Sequence, residues 1–220
     1  MSTTEPGSLQ PDFPLFPLNT VLFPEGSLSL QIFEVRYLDL IGKCHRQGTP
    51  FGVVSLTQGQ EVRMRDPAMP TGDAFAREDF ADVGTLAQIV EFSAPQAGLM
   101  RIRCTGGEKF RIRERRQLKH GLWVADVEHL PKDAMVPVPE DLQPVAHGLA
   151  QVLEQANSPQ APFELPPFAQ PYRLEDCGWV ANRWCDLLSI PASLKQSLLQ
   201  LDNPLLRLEL VGDILSRAGA

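Results

Sequence analysis

Proline placement is what most limits the folds open to this chain. Twenty prolines stand among 220 residues, and each removes a backbone donor and disfavours helix interiors and central strands. Asp12–Pro24 (DFPLFPLNTVLFP) and Leu28–Phe33 (LSLQIF) are apolar stretches between such breakers, of strand rather than helix length. Glu34–His45 sets Val35, Leu38, Ile41 and Cys44 at helical spacing and predicts one short helix. Phe51–Leu56 predicts the next strand. Thr57–Asp82 is polar, carries Met64, Met69, Pro67, Pro70 and Gly72, and predicts a long loop. Val83–Phe92, Leu99–Cys104, Lys109–Leu118 and Leu122–Leu130 follow as strands at short intervals. Such a run predicts an antiparallel barrel or curled sheet.

The composition shifts at Pro131. Nine of the 41 residues from Pro131 to Pro171 are proline, around one helical segment, Val145–Ala156. Leu174–Leu188, Ala192–Leu201 and Pro204–Arg217 then carry apolar residues three and four apart. Asn203-Pro204 puts an N-cap residue before a proline at the first helical position. Strands first and helices afterwards predict an α+β chain. Its β lobe would span 12–130, and a Pro-rich connection with a helical lobe 131–220.

Apolar residues at 43% and charged residues at 21% are ordinary globular usage and exclude disordered, collagen-like and coiled-coil classes. There is no apolar run of about 18 residues for a membrane helix. Met1–Asp12 has no Lys or Arg and no apolar signal core, so the expected location is cytoplasmic. Cys44, Cys104, Cys177 and Cys185 fall in no zinc or redox spacing and read as reduced, buried, small apolar residues.

The net charge of −7 is uneven. Arg101–Lys119 holds eight basic residues and two acids, a local +6 that leaves −13 for the remainder. Within this strip Met100, Ile102 and Cys104 alternate with Arg101 and Arg103, and Phe110 and Ile112 with Lys109, Arg111 and Arg113. Facing residues of an antiparallel pair share a face. A hairpin reversing at Gly106–Glu108 would therefore join Cys104 to Phe110 and Ile102 to Ile112 inside, with Arg103 against Arg111 and Arg101 against Arg113 outside. A second turn at His120-Gly121 would set Arg115 against Asp126 and Arg113 against Glu128. The strip reads as a solvated strand face partly neutralised by its neighbour. The alternative is an anion, acidic-peptide or RNA site at Arg101, Arg103 and Arg111.

Catalytic frames are missing. No phosphate-cradling G-x-x-x-x-G-K-[ST] loop, G-x-G-x-x-G, G-x-S-x-G or S-x-x-K occurs. His45, His120, His129 and His147 stand in no H-E-x-x-H or C-x-x-C…H pattern, so neither a metal nor a cofactor is expected. Asp79 and Asp82 read as loop-solvating acids.

Phe13–Phe33 (FPLFPLNTVLFPEGSLSLQIF) followed by Glu34-Val35-Arg36-Tyr37-Leu38 resembles the opening of the Lon protease amino-terminal, substrate-binding domain. The resemblance runs on through Phe51-Gly52-Val53-Val54, Val83–Ala87 and Gly106…Phe110-Arg111-Ile112. It ends in Trp179–Arg183, Lys195-Gln196 and Leu199–Leu210, and so covers about residues 12 to 217. It implies a PUA-like β-barrel lobe followed by a carboxy-terminal helical bundle, and a role in recognising polypeptides. The ATPase and peptidase segments of full-length Lon have no counterpart here, so the chain resembles a stand-alone version of the domain. Departure from the pattern is expected at Thr57–Asp82 and Pro159–Pro171. Phe13, Phe16, Leu18, Val21, Leu22 and Phe23 are expected to fill the barrel, and Glu34 and Arg36 to fix the start of the first helix.

The function expected is non-enzymatic binding of unfolded or partly folded polypeptide, as an adaptor or accessory in proteolysis or quality control. Exposed apolar and flexible side chains suit that task, which makes Met64, Met69, Phe163 and Phe168 candidates. For Phe163 and Phe168 the competing expectation is that they staple the connection to the barrel. A separate ATP-dependent protease and weak self-association are the other partners expected. RNA binding through the basic strip is the alternative, opposed by the acidic remainder.

Overall fold

The computed structural model describes residues 6–59, 78–158 and 164–218. In chain order they form β1 (Leu9–Leu18), β2 (Ser27–Ile32), α1 (Val35–Gln47), β3 (Phe51–Gln58), β4 (Asp79–Phe80), β5 (Val83–Gln96), β6 (Leu99–Gln117) and β7 (Trp123–His129). After a single 3-10 turn come α2 (Gln143–Ala156), α3 (Cys177–Leu187), α4 (Ala192–Gln200) and α5 (Pro204–Ala218). The chain is thus α+β, with α1 set among the strands and α2–α5 after them. It divides into two compact units, Met1–Pro24 with Leu28–Pro131, and Glu25–Ser27 with Lys132–Ala220.

In the first unit the strands run β1-β7-β6-β5-β3, and β1 pairs again with β3, so the sheet curls round into a ring. The β1–β3 pair is parallel and the other ring pairings antiparallel. β2 and α1 form the crossover that a parallel pair requires. The FPLFPL segment is apolar on both faces because both are covered. Phe13 and Leu15 join Val54, Phe110, Ile112 and Val127 in one core cluster, while Phe16 and Leu18 join Tyr37, Leu40, Ile41 and Cys44 of α1 in another. Phe16 stacks on Tyr37 with ring centroids 3.8 Å apart. Phe23 and Val21 are buried as well. Phe110 fits because Gly52 and Gly84 leave room: a Cβ on either would lie 2.7 or 2.6 Å from its ring.

Two expectations about the strands of this unit are corrected. The hairpin turn at Gly106–Glu108 does not exist. β5 and β6 form one long pair that reverses at Ala97-Gly98, with Gly98 at φ +78°, and β6 runs unbroken through Gly106 and Gly107. Gly106 is required there because a Cβ would stand 2.1 Å from the Phe23 carbonyl oxygen. Arg103 therefore faces Glu91, and Arg101 faces Ser93. Lys109, expected on the solvated face, is buried. α1 forms over the stretch where a short helix is expected; its buried stripe is Tyr37, Leu40, Ile41 and Cys44, and Val35 is 73% exposed.

The turn before β7 also gives a register different from the one expected. Arg115 lies opposite Ala125, and Glu114 opposite Asp126. Arg113 does ion-pair with Glu128, but Arg115 reaches Asp79 at 2.7 Å and the Phe80 carbonyl at 3.0 Å. Asp79 is accordingly a strand residue in an ion pair rather than a solvated loop acid.

The second unit is helical. Asn203 caps α5, its side-chain oxygen accepting from Leu205 and Leu206 N–H at 3.0 and 3.3 Å. Asp176 accepts from Gly178 N–H at the start of α3. Trp184 Nε1 donates to the Val145 carbonyl and ties α3 to α2 at 3.0 Å. Arg207, 1% exposed, donates to the Leu198 and Leu201 carbonyls, Asn182 and Asp133.

Candidate functional site

β2, β5 and β6 bound a groove of about 510 Å³ on the first unit, lined by residues 29–31, 91–93 and 101–103. The walls follow from strand alternation. Leu28, Leu30, Phe92, Met100 and Ile102 pack toward the α1-side core, and His45 of α1 stacks on Phe92 at 4.0 Å. Ser29, Gln31, Glu91 and Arg101 are exposed between them. The groove therefore presents hydroxyls, an amide and charge over a floor of strand backbone.

Its electrostatics are asymmetric. Arg103 donates to Glu91, and this hydrogen bond, reinforced by the guanidinium charge, holds the Glu91 carboxyl below the usual carboxylate range. Arg101 is exposed, faces Ser93, and has no ion-pair partner among the described residues. The structure thus brings Arg101 and Arg103 together and sets Arg111 apart. Arg111 lies opposite Val83 and Glu128, eight residues along β6 from Arg103 and on the order of 25 Å away. Farther on, Arg113, Arg115 and Arg116 are paired with Glu128, Asp79 and Asp12.

Directly after β2 the chain exposes two apolar side chains, Phe33 at 56% and Val35 at 73%. Sequence reasoning missed both. Phe33 ended an apolar strand run and Val35 fitted one of two possible helix phases; the usable signal was Glu34 between them, a charge that interrupts the run. Arg36 anchors this corner while itself buried. Its Nε donates to Glu34 at 3.0 Å, Nη1 to the Gly121 carbonyl at 2.8 Å and Nη2 to Glu78 at 3.2 Å. Trp123 Nε1 also donates to Glu78, at 2.7 Å. Burial disfavours the Arg36 charge, but Tyr37, Glu78 and Glu34 outweigh it and raise its pKa.

Of the apolar candidates named from sequence, Met64, Met69 and Phe163 lie outside the described residues. Phe168 is half-buried in the helical unit, with the Arg183 guanidinium 5.0 Å from its ring centroid. The four cysteines are free and buried. Burial pushes the Cys104 and Cys185 thiols up to about 12, which removes their thiolate reactivity. Among the described residues no three His, Cys, Asp or Glu side chains come together as metal ligands, and no helix is long and apolar enough to cross a membrane.

The family model for the ATP-dependent protease La (Lon) substrate-binding domain matches residues 12–217. The chain belongs to the Lon substrate-binding domain family. Among solved structures, a Lon N-terminal domain protein from Xanthomonas campestris is 28% identical, covering 91% of this chain and 96% of that one with a TM-score of 0.66. The N-terminal domain of a Mycobacterium avium complex Lon protease shares 13% identity over 92% of this chain and 96% of its own, with a TM-score of 0.54, a likeness of fold. A search of curated protein sequences gave no match. As a Lon substrate-binding domain, the chain carries its groove and its exposed Phe33 and Val35 on the strand-rich unit.

Proposed function

We propose that this Lon-type domain is a non-catalytic polypeptide-recognition module that serves proteolysis or protein quality control as an adaptor or accessory in the cytoplasm. The observation that carries this reading is the exposure of Phe33 and Val35 where β2 leaves the groove. Exposed apolar side chains next to a strand suit capture of extended, sequence-diverse chains. In this reading residues 12–130 do the recognising and residues 131–220 complete one substrate-binding unit. Its partners are unfolded or partly folded polypeptides, and a separate ATP-dependent protease would act on what it holds. Met64, Met69, Phe163 and Phe168 remain proposed auxiliary contacts. Weak self-association would add avidity.

The RNA-binding alternative retains Arg101 and Arg103 in one groove and loses Arg111 to distance. Fluorescence anisotropy with a labelled, permanently unfolded protein, at low and high salt, separates the two. Apolar capture changes little with salt, whereas phosphate contacts weaken steeply. ATPase and peptidase assays on the same sample are expected to be blank. Cleavage that follows the pure protein and vanishes on replacing one Ser, Cys or Asp would sink the module reading.

A further inference from the structure

We infer that the groove admits an extended polypeptide segment that adds to the second edge of β2 and places a carboxylate on Arg101, an inference that rests on the polypeptide-recognition reading above. β2 pairs with β6 alone among the described strands. Its sequence, SLSLQI, contains neither the proline nor the charge by which edge strands usually repel an incoming chain. A polypeptide lying along it would take main-chain hydrogen bonds from β2 and side-chain selection from the groove.

That selection is for negative charge. Arg103 is already neutralised by Glu91, whereas Arg101 is exposed in the groove and has no ion-pair partner among the described residues. Ser29, Gln31 and Ser93 supply further polar contacts. Phe33 follows Gln31 by two residues, just past the end of β2, and Val35 opens α1 two residues further on. The preferred segment is therefore extended, free of proline, and carries an Asp or Glu within about four residues of a large apolar side chain.

The test uses the full chain and fluorescein-labelled, β-prone peptides that differ only at one position, Asp, Asn or Lys, beside a Leu-Val pair. Anisotropy is expected to show the Asp peptide binding about five-fold more tightly than the Asn peptide. The Arg101→Glu variant should reverse the order in favour of Lys, and methylation of alternate peptide nitrogens should abolish binding. If the unfolded protein binds while Asp, Asn and Lys peptides are equivalent or Arg101→Glu changes nothing, this inference falls and the recognition function stands. If neither the unfolded protein nor any peptide binds, both fall. Displacement of the Asp peptide by a single-stranded RNA at equal concentration would overturn strand addition in favour of a nucleic-acid groove.

Discussion

Arg36 and Glu78 form a buried ion pair, their side chains 4% and 6% exposed and 3.2 Å apart, joining the first turn of α1 to the chain just before β4. Glu78 also accepts from Trp123, and Arg36 also donates to the Gly121 carbonyl. Removing one partner leaves the other charge desolvated and only partly compensated, Arg36 by Glu34 or Glu78 by Trp123, so Arg36→Ala or Glu78→Ala should each cost about 3 kcal/mol. The double variant should lose clearly less than the sum of the two. Urea unfolding of the four proteins checks this; strict additivity would mean the pair is not coupled.

Positions on the two faces of β6 should behave differently. Ile112 is 8% exposed in the core cluster with Phe13, Leu15 and Phe110, so Ile112→Ala should cost about 2–5 kcal/mol. Arg113 is half-exposed in its pair with Glu128, and Arg113→Ala should cost about 0–1 kcal/mol. Equal losses in chemical denaturation would reverse the assignment of faces.

Gly106 and Gly107 separate a strand from a turn. A methyl on Gly106 meets the Phe23 carbonyl oxygen at 2.1 Å, where backbone must move, while one on Gly107 meets the Leu86 Cβ at 3.2 Å. Gly106→Ala should destabilise by about 1–3 kcal/mol or more and Gly107→Ala by clearly less. Thermal melts of the two variants give the answer, and equal tolerance would restore a turn at this place.

This glycine pair also marks where sequence stops being informative. Two adjacent glycines between alternating strands carry the local signal of a reversal, and the carbonyl that actually excludes a side chain belongs to Phe23, far upstream. Once the turn moves to Ala97-Gly98, every cross-strand partner changes, which is why Glu91 could not be assigned to Arg103 from sequence. The outward direction of Arg101 was legible, because alternation along a strand is local. The helices were legible for the same reason, through apolar spacing and the Asn203-Pro204 start. Helix phase was not: the stretch from Val35 to Cys44 supports two apolar stripes, and only the stack of Tyr37 on Phe16 selects one.

Asp186 should give the helical unit a pH dependence. Burial pushes its carboxyl up to about 6 from 3.8, against the opposing pull of Arg183 and Lys195. Between about pH 4 and pH 6 the native state keeps a proton that the unfolded chain has released, so this group's contribution to stability falls as pH rises through that window. Asp186→Asn cannot titrate. Its stability relative to the parent should therefore rise from pH 4.5 to pH 7, whatever constant offset the amide introduces. Urea unfolding at the two pH values checks the sign, and a fall would show that the pair with Arg183 dominates burial.

The exposed corner at Phe33 and Val35 is where stability and function should part. Both side chains are more than half exposed, so Phe33→Ser with Val35→Ser should change folding stability by no more than about 0.5 kcal/mol per site. If extended polypeptide is captured here, the same double variant should bind a labelled unfolded protein several-fold more weakly. Phe168 supplies the contrast. It is half-buried beneath Arg183 in the helical unit, so Phe168→Ala should lower stability more than the double variant does. Anisotropy and urea unfolding on the three proteins resolve the two roles. A double variant that binds as well as the parent would move the recognition surface away from the end of β2, and a Phe168→Ala protein that keeps its stability but loses binding would place it on the Pro-rich connection.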